Sequence, residues 1–418
     1  MAQLSNDCFA HGGELMRVDT ALAELAARTT RVTAAEEVPL PDALGRVLLE
    51  NVTAKADVPP HDNSAVDGYA IYFDDLNTDG ETRLPLGARV TAGHPLDRPQ
   101  KRGEAVRIFT GARMPEGSET VMMQEDCREE DGHVVIRPGI RQGDNRRKAG
   151  EDIRTGDTVL RAGQRLRPQD LGQAAAVGRE SLSVSRPLRV ALFSTGDELR
   201  EPGVALDAGC IHDSNRYTVG GLLRALGCEV VDLGILPDRR DSVTAALAEA
   251  ARNADLLVTS GGVSVGEEDH VKQAVEAQGQ IHTWRLAIKP GRPIALGQLG
   301  HVPFVGLPGN PVAVMVTFVT VVRPLILGLM GVPPAMPVTY RVPANFDHKK
   351  KPARREWVRA RLLGDPANGW RAEKFARQGA GILSSLVESD GLVALPEETT
   401  YLEAGEMVDF LPFSEVAT

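Results

Sequence analysis

The chain has 418 residues, 42% of them from AVILMFWYC, which is enough apolar material for more than one core and sets an expectation of two to four domains. Its 47 basic and 57 acidic side chains leave a formal charge of −10, and only 4% of residues are aromatic. That balance argues against a nonspecific nucleic-acid binder, which needs a cationic surface, and against a base-stacking platform.

Residues 1–13 read as an untethered leader without the basic and apolar regions of a signal peptide. From 14 to 31, Leu15, Val18, Leu22 and Leu25 recur at three- and four-residue steps with alanines between them, which predicts an amphipathic helix. Pro39-Leu40-Pro41 fixes φ twice and makes a stiff bridge, after which 43–49 reads as a short apolar helix or turn. Between 51 and 138 the character changes. Gly and Pro become frequent and β-prone runs fall at 68–73, 105–109, 120–123 and 133–136, predicting a β-rich insert. A basic stretch at 141–148, a run at 158–160 and a helix over 168–177, with Pro168 in its first turn, follow.

From 188 to 331 short apolar runs alternate with helical patterns. Strands are expected at 188–193, 228–233, 256–258, 281–288 and 302–307, and helices near Asn215, at 241–251 and after Pro311. This alternation implies a mostly parallel sheet covered on both faces, with its ligand crevice at the carboxyl ends of the strands. Gly220-Gly221 weakens the helix near Asn215 by about 1–2 kcal/mol, so close packing or ligand approach is expected there. The stretch 312–330 is the most apolar, but it contains Arg323 and Pro324 and completes a strand-loop-helix unit; a buried helix is expected, not a membrane span. Beyond 331, runs at 338–342, 356–363, 391–395 and 406–411 predict a small β domain. The division is therefore 14–50 plus 140–187 as a discontinuous α+β domain, 51–139 as its β-rich insert, 188–331 as the α/β domain and 332–418 as the C-terminal domain. The cysteines Cys8, Cys127, Cys210 and Cys228 lack CxxC spacing and read as reduced thiols.

The polar punctuation of the α/β stretch carries the chemistry. Gly261-Gly262-Val263-Ser264-Val265-Gly266 follows an apolar run and precedes a helix start, so it reads either as an anion cradle of backbone N–H groups or as a plain turn. It matches neither the Rossmann nor the Walker A pattern. Asp197, Glu198, Asp238, Glu268 and Asp269 all lie just beyond apolar runs. Carboxylates gathered beside a phosphate cradle would repel the anion unless a hard cation intervened, and magnesium meets that need. Arg285, Lys289 and Arg292 offer the complementary charge, and Pro308-Gly309-Asn310-Pro311 opens a helix whose first N–H groups are expected to be free for an anion. Outside this domain, Asp62, Asn63 and Ser64 read as a self-bonded turn or as a site presented to another domain or subunit; Arg146, Arg147, Gly150, Glu151 and Asp152 pose the same alternatives. His61 and His270 read as ordinary polar histidines.

Taken together, PPHDNSAVDGYA at 59–70, FTGARMPEG at 109–117, RRKAGED at 146–152, FSTGDEL at 193–199, DSNRY at 213–217, SGGVSVGEEDH at 260–270, KPGRP at 289–293 and GLPGNPVA at 306–313 resemble the molybdopterin molybdenumtransferases, the molybdenum insertases that include the E domain of gephyrin. RQGAGILSSLVESDGL at 377–392 is a weaker match. The resemblance implies an elongated homodimer of four-domain subunits ending in a small β barrel, cytoplasmic, with no role in nucleic-acid or membrane binding. It implies insertion of molybdate into adenylylated molybdopterin with hydrolysis and release of AMP. It assigns Asp62, Asp152, Glu198, Asp238 and Asp269 to catalysis, with Glu198, Asp238 and Asp269 also holding Mg²⁺. Substrate binding falls to Ser260, Gly261, Gly262, Ser264, Lys289, Pro308 and Pro311, together with Thr110, Arg147, Arg285 and Ser384. Asp62 and the Asp152 segment would face the α/β site across the dimer. A molybdopterin adenylyltransferase and cofactor-maturation or acceptor proteins are the implied partners. Arg285 and Arg292 stand where many relatives carry Lys, so the charge arrives through a planar fork; RQGAG replaces the more usual QGSG or QGSH. The competing readings are an adenylyltransferase built on the same α/β module and a noncatalytic cofactor-binding scaffold.

Overall fold

The computed structural model describes residues 15–77, 79–261, 270–365 and 367–416. Helix α1 (Val18–Arg28) buries Val18, Ala21 and Leu25 at the spacing read from the sequence, and this stripe packs in one core with Leu325 and Leu329 of the central domain. Strand β1 (Ala35–Pro39) was not legible as a strand and pairs far ahead in the chain. The 43–49 stretch departs from the helical reading. A 3-10 turn spans Leu40–Ala43, Gly45 takes φ +73°, and Val47 and Leu48 then run extended to bridge Arg165 and Val184.

The insert is a six-stranded sheet made of β2 (Gly68–Ile71), β3 (Thr82–Val90), β4 (Ala105–Ile108), β5 (Thr120–Met123), β6 (Cys127–Glu130) and β7 (His133–Ile136), in the order β5-β2-β4-β3-β7-β6. Its two faces carry separate small cores, one around Tyr69, Ile71 and Ile136 and the other around Val106, Ile108 and Val121. Helix α2 (Pro168–Ala176) starts at Pro168, whose missing N–H costs nothing there, and Asp170 closes a capping box with Arg167. Strand β8 (Ser181–Ser185) then pairs antiparallel with β1.

The central domain contains β9 (Arg189–Thr195), α3 (Asn215–Ala225), β10 (Glu229–Leu236), α4 (Arg240–Ala250), β11 (Leu256–Ser260), α5 (His270–Glu276), β12 (Gly279–Arg285), β13 (Pro293–Leu299) and β14 (Val302–Leu307). The sheet order is β10-β9-β11-β14-β13-β12. The first four strands are mutually parallel, while β13 runs antiparallel to both neighbours, so the sheet is mixed at that side. Every residue of β11 and β14 is buried. Continuous apolar runs are what a strand covered on both faces requires, since both of its side-chain rows leave water. Gly220 of α3 shows why the glycine pair is tolerated: a Cβ there would sit 3.4 Å from Leu192 of β9, so its absence lets helix and strand approach closely.

Helix α6 (Pro311–Thr317) continues through a π turn at Phe318–Val322 into α7 (Arg323–Met330). Pro324 cannot donate to the carbonyl four residues back and its ring crowds that carbonyl, which accounts for the widened turn just before it. An 18-residue window of this 20-residue stretch has a mean hydropathy of 2.2, yet that window is wholly buried in the protein, as expected of a core helix. Arg323 is satisfied inside the core by the carbonyl oxygens of Val416 and Ala335, at 3.0 and 3.2 Å, and burial pulls its guanidinium down to about 10.

The C-terminal domain is a half-barrel of β15 (Tyr340–Pro343), β16 (Arg355–Asp365), β17 (Gly369–Lys374), β18 (Gly391–Leu395) and β19 (Met407–Pro412), paired in the order β17-β16-β18-β19-β15. Its ends meet where Ala344 bridges Ala372. The run 281–288, read as one strand, is two. It breaks after Arg285, and Ile288–Lys289 joins the half-barrel beside Arg355 and Glu356. Trp357, Leu392 and Leu411 sit in the same core as Val314 and Val316, so the half-barrel and the central domain share buried surface. Phe304→Ala in β14, where the ring is fully buried, is expected to cost about 3–5 kcal/mol. The check is a lower urea midpoint for the central-domain transition with its slope unchanged.

Candidate active site at the carboxyl edge of the central sheet

Because β9, β10, β11 and β14 are parallel, their following loops open on one edge: residues 196–198, Asp238, Gly261 and the turn 308–311. Gly261 takes φ +87°, and a Cβ there would meet the Thr195 carbonyl oxygen at 3.0 Å, so the exit from β11 requires glycine. A cleft between these loops is lined by Thr195, Glu198, Asp213, Asn215, Ser260 and Gly309, with Gly261 and Pro311 at its border. Among the described residues, Ser194, Thr195 and Thr259 keep buried side-chain oxygens without hydrogen-bond partners. Asn215 Nδ2 donates to Gly309 O at 2.7 Å, tying the start of α3 to the 308–311 turn.

Among the described acidic groups, Asp238 lies within electrostatic reach of Asp197 and Glu198. Burial pushes Asp238 above the usual carboxylate range, and the negative charges of Asp197 and Glu198 add to that, with His270 opposing. Like-charge crowding of oxygen ligands is the condition a magnesium ion relieves, so Glu198 and Asp238 have the donor chemistry for it. Among the described residues no set of three such ligands converges. Asp269, Gly262 and Ser264 lie outside the described residues.

Behind the cleft stands a buried cation that the sequence reading missed. Arg216 of α3 is 5% exposed and bonds Asp213 through Nε at 3.1 Å, Asp232 of β10 at 2.6 Å and Glu201 at 2.6 Å. Burial works against its charge, but bonds to Asp232 and Asp213 prevail and raise its pKa; the same partner holds Asp232 low against its own burial. One guanidinium thus locks the loop after β9 to the strand leading to Asp238. Asp213, Asn215 and Arg216 all lie in the DSNRY stretch, so the signal was present, but a conventional helix start could account for it.

On the basic side, Arg285 is exposed between buried Trp284 and Leu286. The expectation that the first N–H groups of α6 are free fails for Val312, whose N donates to Ala380 O at 3.0 Å, from the half-barrel. Lys289 reaches Glu356 Oε1 at 2.7 Å. Pro308 is buried beside the cleft, and Ser384 is exposed at the start of a short helix in the half-barrel.

Three motifs outside the central domain are woven together. Asn63 and Ser64 pair with Arg147 and Arg146 on one side, and Asn63 bridges Arg113 on the other. Asp62 accepts from Ala149 N at 2.8 Å and lies 3.5 Å from Arg146. Thr110 donates to Asp67 through both its N and Oγ1 at 2.8 Å, which holds Asp67 below the usual carboxylate range. Asp152 is exposed one strand away, its N–H on Val58 O. Asp62 lines a cleft of about 470 Å³ with His61, Arg98 and Arg113, distinct from the one lined by Glu198.

Comparison with known proteins agrees in order along the chain. Residues 16–178 match the MoeA N-terminal region (domain I and II), 191–328 the family described as "Probable molybdopterin binding domain", and 341–413 the MoeA C-terminal region (domain IV). The chain is 38% identical to the molybdopterin molybdenumtransferase of Haemophilus influenzae over 404 residues, covering 96% of this chain and 100% of that one. Identity to the enzyme of the same name from Nostoc sp. is 34%, with 89% and 87% covered. The crystal structure of the molybdopterin biosynthesis MoeA protein from Pyrococcus horikoshii superposes with a TM-score of 0.83 at 28% identity, covering 96% of this chain and 100% of that one.

Asp238 provides a pH test of the crowding. Its folded-state pKa is raised, so ionising it costs stability as pH climbs from the unfolded value, about 3.9, through the folded one, and the cost is complete above that. In chelated buffer Asp238→Asn is therefore expected to melt at a higher temperature than the parent at pH 7, with the gain fading as pH falls toward 4; equal melting at pH 7 would contradict the crowding. Arg216→Ala, which strands carboxylates around a buried gap, is expected to lose about 3–5 kcal/mol in chemical denaturation.

Proposed function

Since the chain belongs to the molybdopterin molybdenumtransferase family, we propose that it inserts molybdate into adenylylated molybdopterin, hydrolysing the phosphoanhydride and releasing AMP. The observation that carries this reading is the acidic group of Asp197, Glu198 and Asp238 beside a cleft bordered by Ser260 and Gly261, at the edge where a parallel sheet presents its ligand site. A Mg²⁺ held by Glu198 and Asp238, with Asp269 from the following loop, would offset the charge of the anhydride and polarise it.

The chain's own groups have the remaining tasks. Thr195, Ser260 and Asn215 present hydroxyl and amide groups that orient the bound molecule, and Arg216 keeps the Asp213 wall and the Asp238 strand in fixed relation. Lys289 and Arg285 supply positive charge on the far side of the sheet edge. Water adds to phosphorus, the bridging P–O bond breaks, and AMP leaves while the proton of the water passes to a nearby carboxylate or to solvent.

The central cleft is lined by side chains of one subunit, Glu198, Asp213 and Asn215 among them, and by the turn at Gly309. The cleft of about 470 Å³ beside Asp62, backed by the Asp152 segment, is the surface we assign to completing it, contributed by a second copy in a cytoplasmic homodimer. A molybdopterin adenylyltransferase supplies the activated pterin, and acceptor or maturation proteins take the product.

With adenylylated molybdopterin and Mg²⁺ supplied, AMP release is expected to depend on molybdate and to yield metal-loaded cofactor; release indifferent to molybdate would refute insertion. For the shared site, Asp62→Ala and Glu198→Ala subunits are each expected to be inactive alone and to regain one working site as a verified heterodimer. No recovery would place both residues within a single subunit's site.

A further inference from the structure

The proposed anion contact at Lys289 is already occupied. Its ammonium lies 2.7 Å from Glu356 Oε1, and the same oxygen is 3.1 Å from His348 Nε2. The pairing is built into the backbone: Ile288 and Lys289 run parallel to Arg355 and Glu356, and Arg355 N donates to Ala287 O at 2.7 Å. Exposure is unequal across the group, at 50% for the Lys289 side chain, 12% for His348 and 7% for Glu356. The carboxylate is therefore fixed and buried, while the ammonium at the end of a four-carbon stem remains open to solvent on one side.

We propose that Glu356 is a positioning residue that holds Lys289 in the ligand-free protein and yields it to the diphosphate of the substrate, so that the half-barrel is the seat from which the lysine is delivered. The proposal rests on the reading of Lys289 as an anion contact. What makes the exchange feasible is the set of charges left behind. A buried carboxylate stripped of its only partner is strongly disfavoured, but Glu356 keeps the His348 contact when Lys289 departs. Lys350, itself 7% exposed and fastened to the carbonyl oxygens of Pro396 and Thr399, and Arg359, 1% exposed, add fixed positive charge close enough to act on Glu356. Burial disfavours the Glu356 charge, yet the bonds from His348 and Lys289 hold it down to about 2, so the counter-ion is present throughout the neutral range.

Isothermal titration of the full-length protein with pyrophosphate, in matched buffer without Mg²⁺, tests the exchange. Lys289→Ala is expected to weaken binding about tenfold, the order of one charge-assisted hydrogen bond. Glu356→Gln, which frees the ammonium, is expected to tighten binding by a similar factor of about ten, and to have no such effect when Lys289 is already Ala. His348→Ala, which leaves Glu356 more dependent on Lys289, is expected to weaken pyrophosphate binding; this arm keeps the test alive if Glu356→Gln melts early. If Lys289→Ala weakens binding while Glu356→Gln does not tighten it, or if the tightening persists without Lys289, the exchange is overturned and the anion contact stands. If Lys289→Ala binds as the parent does, both fall. Should His348→Ala tighten binding, the exchange is also overturned.

Discussion

The constraint on which this structure depends is the burial of the central sheet on both faces. With β11 and β14 sealed along their whole length and β9 nearly so, no polar side chain can be placed within the strands without losing its water. Within these three strands charge is thereby confined to the ends. Parallel direction then brings those ends to one edge, so the crowding of Asp197, Glu198 and Asp238 follows from the packing of residues such as Leu192, Val258 and Phe304 that never meet a ligand. Arg216 is the exception that maintains the arrangement. It is a cation admitted below the edge because three carboxylates surround it, and it joins the loop after β9 to the neighbouring strand.

Much of this was legible in the sequence because burial leaves a pattern in it. The run 302–307 is the strand Val302–Leu307, and the stripe of Val18 and Leu25 does face a core. What escaped is what burial does not mark. Strand β1 carries Glu36 and Glu37 with little covered surface, β3 contains Pro85 and Gly87, and β17 is mostly exposed; all three look like turns to any reading based on apolar periodicity. The apolar run 281–288 misled in the other direction, since Leu286, Ala287 and Ile288 are buried but belong to the passage between two sheets.

The same division holds at the site. Carboxylates at strand ends could be placed from sequence, because their positions depend on neighbouring strands whose order the fold class suggests. The partners of the basic groups could not. Glu356 lies 67 residues from Lys289, and the Ala380 carbonyl that accepts from Val312 lies in a segment with no regular structure to anchor it. Asp62, Thr110 and Arg147 were singled out as parts of three separate stretches; their meeting in one patch required the pairing of 63–64 with 146–147, two residues on each side and too short to leave a pattern.

The bond from Val312 to Ala380, with Trp357, Leu392 and Leu411 in the common core, bears on how this chain can be cut and recombined. A fragment ending at Gly331 would expose the apolar flank that those three side chains cover, and would leave the first amide of α6 without its acceptor. A chimera that borrows the central module from a free-standing homologue must therefore bring its own covering residues or be fitted to this half-barrel side chain by side chain. The six-stranded sheet over 68–136, with two small cores of its own, is the segment that exchange would disturb least.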